Sequence, residues 1–297
     1  MNKQQSTSPI NLIGNHLLAL TLGGGLFTLL MGVNFIQMSS LIVFPFHRKL
    51  FRKINCTCAG GWWGLCETVL RRIRKIDVVI TGDSIPFQEN ALIISNHQSM
   101  ADIPALFKTA KAAGRIGDMK WFVKDVLKYV PGVGWGMLFL DCIFVKRNWH
   151  ADKDKIYYTF KKFYNNNIPI WPMLFPEGTR LRPHKLKRVQ EICKKKSLPE
   201  TTHVLLPRPK GFIASVQGLR GHLQSVIDVT IGYEGEAPSL YDLILGKVKR
   251  LHLHIKRFPM HTLPNTDKEL EEWIIKCFYD KDLRLQKFQK TFSLASL

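Results

Sequence analysis

The segment Asn96-His97-Gln98-Ser99-Met100-Ala101-Asp102 carries residues suited to acid–base chemistry. Histidine can take and return a proton near neutrality, and a neighbouring aspartate can fix its tautomer. On a regular helix, residues five apart would lie ~140° off a common face. The pair can meet if His97 occupies the turn after the apolar run Ala91-Leu92-Ile93-Ile94 and Asp102 the first turn of a following helix. Asn96 and Ser99 are the residue types that cap such a junction. Read this way, His97 and Asp102 are the base and orienter of a triad without its serine. The same residues would also serve as a helix cap and a first-turn acid favouring the helix dipole.

A second block, Phe175-Pro176-Glu177-Gly178-Thr179-Arg180, follows an apolar run and turns on Gly178. Backbone N–H groups around such a turn can cradle an anion, and Arg180 supplies bidentate phosphate donors. Glu177 would hold a hydroxyl or brace the loop. Alone, the block equally describes a surface turn with a solvated arginine. Between the two blocks lie Lys120-Trp121-Phe122-Val123-Lys124, Val130-Pro131-Gly132-Val133-Gly134-Trp135-Gly136 and Ile143-Phe144-Val145-Lys146-Arg147. The glycines do not have dinucleotide-loop spacing. Lys146 and Arg147 end a strand, where ligand sites commonly gather.

Strands and helices alternate around these blocks. Residues 76–80, 91–94, 142–145, 168–175, 204–206, 226–231 and 251–255 read as strands, with Pro169 and Pro172 limiting the fourth to an edge or irregular form. Residues 62–73, 101–113, 153–164 and 267–289 read as helices. The pattern predicts an α/β fold with a mixed, largely covered sheet and flanking helices.

From Gln4 to Phe46 no Asp, Glu, Lys or Arg occurs, a stretch long enough for one membrane span or a tight hairpin. A cleaved signal peptide fits less well, since only Lys3 precedes the run and no small-residue cleavage site ends it. Residues 1–48 are therefore expected to form a hydrophobic membrane anchor, and residues 49–297 one α/β domain. Arg48, Lys49, Arg52 and Lys53, then Arg71, Arg72, Arg74 and Lys75, follow the run and predict a cytoplasmic domain. Lys and Arg total 43 against 23 Asp and Glu, a net charge of +20 that suits an anionic lipid surface and phosphorylated substrates. No zinc-finger, RNP-like or basic-zipper pattern points to nucleic acid. The six cysteines match neither a metal site nor a disulfide framework.

In order, the blocks resemble the lysophosphatidic acid acyltransferase family of glycerolipid acyltransferases. Asn96 to Asp102 matches its N-H-x-S-x-x-D motif, Ile143 to Arg147 is similar to its second motif, and Phe175 to Arg180 to its third. Leu206-Pro207-Arg208-Pro209-Lys210-Gly211 is similar to the fourth, in a form closest to the lysocardiolipin and broader lysophospholipid branch. The resemblance implies transfer of an acyl group from a coenzyme A or acyl-carrier-protein thioester to a lysophospholipid hydroxyl, with 1-acyl-glycerol-3-phosphate the foremost acceptor. It implies His97 as base and Asp102 as orienter. Lys124, Arg147 and Arg180, helped by Lys146, would bind the acceptor phosphate, while Glu177, Gly178, Thr179 and Pro207 shape the pocket. No metal or resident cofactor is expected. The compartment would be a bacterial inner membrane, or the endoplasmic reticulum or mitochondrial membrane of a eukaryote. Two other readings stand beside it. Gly82-Asp83-Ser84-Ile85 mimics an esterase block, although neither an Asp-x-x-His nor a Gly-x-Ser-x-Gly elbow accompanies it. A non-catalytic lipid-binding protein would need neither His97 nor Asp102.

Overall fold

The computed structural model of the chain describes residues 9–146 and 148–294. Its apolar runs become seven strands: β1 (Asp77–Gly82), β2 (Ala91–Ser95), β3 (Met119–Lys124), β4 (Ile143–Val145), β5 (Trp171–Leu174), β6 (Ser225–Tyr233) and β7 (Arg250–Pro259). They pair in the order β1-β7-β6-β2-β5-β3-β4, parallel throughout except for β6 with β7. The helices are α1 (Pro9–Ser39), α2 (Arg48–Thr68), α3 (Asp102–Ala105), α4 (Phe107–Ala112), α5 (Val133–Phe139), α6 (Trp149–Asn165), α7 (Pro183–Lys195), α8 (Pro209–Leu219), α9 (Leu240–Leu245) and α10 (Asp267–Thr291).

Every residue of β2, β5 and β6 is buried, as expected of strands covered on both faces. One face packs Trp63, Phe107 and Trp121 into a core shared with α2 and α4, and the other packs Phe160, Phe212 and Phe278 from α6, α8 and α10. Each such side chain contributes roughly 1.5–3 kcal/mol by leaving water. The expected mixed, covered sheet is present.

Several local expectations give way. β5 is not an edge strand but lies between β2 and β3, with Pro172 opposite Lys120. Only four residues long and wholly buried, it gives up one ladder donor at Pro172 and offsets that with apolar contact on both faces. The helix expected over 101–113 is two short ones, α3 and α4, broken at Leu106, whose N–H bonds the Ile103 carbonyl three residues back instead of one four back. Residues 204–206 form a loop instead of a strand, because their chain is held by α10. Asp282 accepts the N–H groups of Thr202, His203 and Val204 at 2.8, 2.6 and 3.2 Å. A capping box between Thr266 and Glu269 starts α10 in the position that delivers Asp282.

The uncharged N-terminal run is a continuous helix through Gly23-Gly24-Gly25, and Ile13–Ile42 is long and apolar enough to cross a membrane. It does not stand free. His16 bonds Tyr241 of α9 at 2.8 Å, Trp62 of α2 donates to the Leu26 carbonyl at 3.2 Å, and Asn34 and Gln37 lie against Gly136 of α5. These contacts span 21 residues, or roughly 32 Å of helix. The face turned to the domain includes the buried polar residues Asn34 and Gln37, while Phe35, at 72% exposure, and Ile36 face outward. That is the reverse of a water-soluble helix.

Candidate active site

β2 ends at Ser95, and the chain then makes the turn that the first motif requires. Asn96 is not a helix cap: its side chain exchanges two hydrogen bonds with the backbone of Ile231, at 3.0 and 2.8 Å, stitching the turn to β6. Ser99 accepts from the Ala101 N–H and donates to the Pro238 carbonyl. Thus fixed, His97 Nδ1 lies 2.8 Å from Asp102 Oδ2. The same oxygen accepts the N–H groups of Gln98 and Ser99 at 2.7 and 2.8 Å, and Oδ1 accepts the Tyr233 hydroxyl at 2.5 Å. Asp102 is fully buried, and four donors converge on its carboxylate. Acceptance by a carboxylate places a proton on Nδ1 and leaves Nε2 as the basic nitrogen. The imidazole lies flat on Phe175, with centroids 4.1 Å apart and planes 15° from parallel, and Phe175 lies in turn on Trp121.

Glu177 is buried and braces the same turn: its Oε1 accepts the His97 N–H at 3.1 Å. Burial drives its carboxyl well above the usual carboxylate range, opposed by the His97 N–H. Gly178 has φ +67°, a left-handed conformation costly for other residues, and the Arg208 side chain lies over it. Backbone bonds join the loops, from Leu181 N–H to His97 O at 2.7 Å and from Arg208 N–H to Pro176 O at 2.8 Å.

A cavity of about 640 Å³ opens beside His97. Phe122, Val123, Val145, Trp149, Ile156 and Ile213 give it an apolar lining, and Lys124, Arg208 and Lys210 bring cations to its wall. None of these three makes an ion pair among the described residues. Of the acids there, Asp152 is occupied by the N–H groups of Lys146 and Asn148, which leaves Glu271. An imidazole base, an apolar trough and unpaired cations fit an amphiphile with an anionic group.

Of the residues singled out from the sequence, His97, Lys124, Gly178 and Pro207 line this cavity. Asp102 and Glu177 stand behind His97. Lys146 is exposed outside the lining, Thr179 accepts a hydrogen bond from Lys185, and Arg180 is half-buried, outside the lining and without a hydrogen bond or ion pair among the described residues. Arg147 lies outside the described residues. Sequence reasoning did not assign Tyr233, Arg208 or Lys210 to the site. Arg208 and Lys210 stood inside the fourth block and could have been found there; Tyr233, 131 residues from Asp102, carried no local signal. Ser84 of the esterase-like block is exposed just after β1, at the opposite edge of the sheet from β4, and does not line the cavity.

Residues 77–234 match the family model described as Acyltransferase, and residues 242–294 match Acyltransferase C-terminus. The chain is 32% identical over 252 residues to probable 1-acyl-sn-glycerol-3-phosphate acyltransferase 5 of Arabidopsis thaliana, covering 84% of this chain and 67% of that one. It is 31% identical over 255 residues to human 1-acyl-sn-glycerol-3-phosphate acyltransferase gamma, covering 84% and 68%. The fold is similar to the crystal structure of the 1-acyl-sn-glycerophosphate acyltransferase PlsC from Thermotoga maritima, with TM-score 0.53, 19% identity, and coverage of 94% and 98%. The chain belongs to the lysophosphatidic acid acyltransferase family and is an O-acyltransferase.

Proposed function

We propose that the protein transfers a fatty acyl group from a coenzyme A or acyl-carrier-protein thioester to the free hydroxyl of 1-acyl-glycerol-3-phosphate. The observation that carries this reading is the His97–Asp102 pair, stacked on Phe175, in the wall of an apolar cavity with unpaired cations. His97 Nε2 takes the proton of the acceptor hydroxyl as its oxygen attacks the thioester carbonyl. The C–S bond breaks, and the imidazolium returns the proton to the departing thiolate. Asp102 stabilises the imidazolium, and no acyl-enzyme forms. Lys124, Arg208 and Lys210 hold the acceptor phosphate, Lys146 and Arg180 add positive charge outside the cavity lining, and the apolar lining takes an acyl chain. Glu177, Gly178, Thr179 and Pro207 keep the surrounding loops in shape.

The acceptor is a membrane lipid, and the outward apolar face of α1 suits a membrane. A helix that packs on α2, α5 and α9 along roughly 32 Å, about the thickness of the hydrocarbon core, fits a position in the plane of one leaflet better than an isolated span. The basic residues at the start of α2 and just after it favour an anionic leaflet.

The test is acyl transfer from oleoyl-CoA and from oleoyl-acyl-carrier protein to a panel of lysophospholipids, with His97→Ala alongside. Transfer to 1-acyl-glycerol-3-phosphate that is lost in H97A is expected. Free fatty acid release without ester formation, or transfer untouched by H97A, would overturn the reading.

A further inference from the structure

The glycine-rich segment Val130 to Gly136 has no role in the site described so far, yet two of its glycines, Gly132 and Gly134, are needed for the local packing. Gly132 has φ +82°, and a Cβ there would lie 3.1 Å from Leu30 of α1. A Cβ on Gly134 would overlap the Leu127 carbonyl, and Gly136 lies against Asn34 and Gln37. The chain between Lys124 and β4 is thereby folded back on itself and laid against α1. Laid there, it turns Val126, Tyr129, Val130, Val133 and Leu138 outward, at 51, 71, 44, 43 and 45% exposure. A soluble surface rarely gathers such residues in one short stretch. Gly132 also approaches Phe27, itself exposed, so this patch and the outward face of α1 are continuous.

We infer that residues 126–138 are a second lipid-inserting element, which with α1 docks the protein on one leaflet of an anionic bilayer. The rim chemistry favours that occupant. Lys128 reaches over the Tyr129 ring at 5.0 Å, an aromatic–cation pair of the kind that sits at headgroup level. Lys124 precedes the patch, and the nearby acid Asp125 is engaged by Lys128 and Lys155. A basic rim on a chain of net charge +20 attracts anionic headgroups and repels a second copy of itself. The patch begins two residues after Lys124, which lines the catalytic cavity, so docking brings the cavity wall to the leaflet that holds the acceptor. This last step rests on the acyl-transfer reading; the docking itself does not.

The experiment places a genetically encoded environment-sensitive fluorophore at Phe35, Tyr129, Val133 or, as control, Tyr158 of the full chain, and adds vesicles of phosphatidylcholine and phosphatidylglycerol carrying a brominated-chain quencher. Quenching at Phe35, Tyr129 and Val133 but not Tyr158 is expected. Quenching at Phe35 alone would overturn the inference while leaving the membrane role of α1 intact, and quenching at none would overturn both. An emission change at Tyr129 that grows with protein concentration without vesicles would assign the patch to self-association and overturn the inference. In parallel, the triple variant Val126→Ser, Tyr129→Ser, Val133→Ser should weaken vesicle partition by roughly 10- to 100-fold. Its turnover of a short-chain, water-soluble acceptor should stay unchanged, because none of the three residues lines the cavity. Wild-type partition by this variant would also overturn the proposal.

Discussion

Asp102→Asn isolates the charge of the dyad from its geometry. The N–H groups of Gln98 and Ser99 both point at Oδ2, and only an oxygen can receive them. The amide introduced by the substitution must therefore set its oxygen there and turn its NH2 toward Tyr233, whose hydroxyl can rotate to accept. The opposite orientation would orphan two N–H groups, at about 1–3 kcal/mol each. In the favoured orientation His97 Nδ1 still donates to oxygen, so the tautomer survives and only the negative charge is gone. That charge, about 4 Å from the centre of the developing imidazolium at an effective dielectric near 20, is worth about 4 kcal/mol. The expected loss in kcat is thus on the order of a thousandfold. Initial rates of oleoyl transfer to 1-acyl-glycerol-3-phosphate measure it, with circular dichroism to confirm the fold. Because base and orienter act as a unit, adding Asp102→Asn to His97→Ala should cost almost nothing further. A rate for Asp102→Asn within about threefold of the wild type, less than about 1 kcal/mol, would mean that no imidazolium forms at His97 and would refute the mechanism.

Glu177→Gln should keep the bond to the His97 N–H and most of the activity, because burial raises the carboxyl's pKa and so favours its neutral form, which the amide mimics. A carboxyl raised in the folded state favours folding below its unfolded pKa and opposes it as pH rises through the interval up to the folded value. Melting curves from acid to alkaline pH should therefore fall less for the Gln variant than for the wild type, and identical slopes would contradict a neutral Glu177. Asp282→Ala orphans the N–H groups of the 202–204 loop and should destabilise the fold by roughly 2–4 kcal/mol, read by urea denaturation. Arg208→Ala should raise the acceptor KM by about tenfold or more, the worth of a charge-assisted phosphate contact, and exceed the effect of Arg180→Ala. The reverse order in steady-state kinetics would move the phosphate out of the cavity.

What the sequence revealed was local or periodic. β2 and β6 were visible as apolar runs, β7 as a strict alternation of Leu or Ile with His, α10 as an amphipathic helix, and the turn from His97 to Asp102 from the five-residue spacing after an apolar run. Other features depended on tertiary contact. Pro172 argued against an interior strand, and only burial on both faces of β5 overrides it. Residues 204–206 carry strand-forming side chains, but Asp282, some eighty residues away, takes the N–H groups just before them. The partners of Asn96 and Asp102 on β6 follow from strand order, which no local pattern reports. Arg180 and Lys146 are cations of the expected motifs that are not among the residues lining the cavity.

The same contacts explain why the region after residue 240 belongs to the catalytic unit. Asp282 of α10 fixes the loop over 202–204, and that loop leads directly to Pro207 and Arg208. The Arg208 N–H then grips the Pro176 carbonyl, next to Glu177, whose carboxyl grips the His97 N–H. Under the proposed mechanism, His97 Nε2 must stay within roughly 0.5 Å of its hydrogen-bonding position toward the acceptor hydroxyl. A turn of seven residues cannot supply that rigidity by itself. It is supplied by β6 through Asn96 and Tyr233 on one side, and by α10 through the fourth loop on the other.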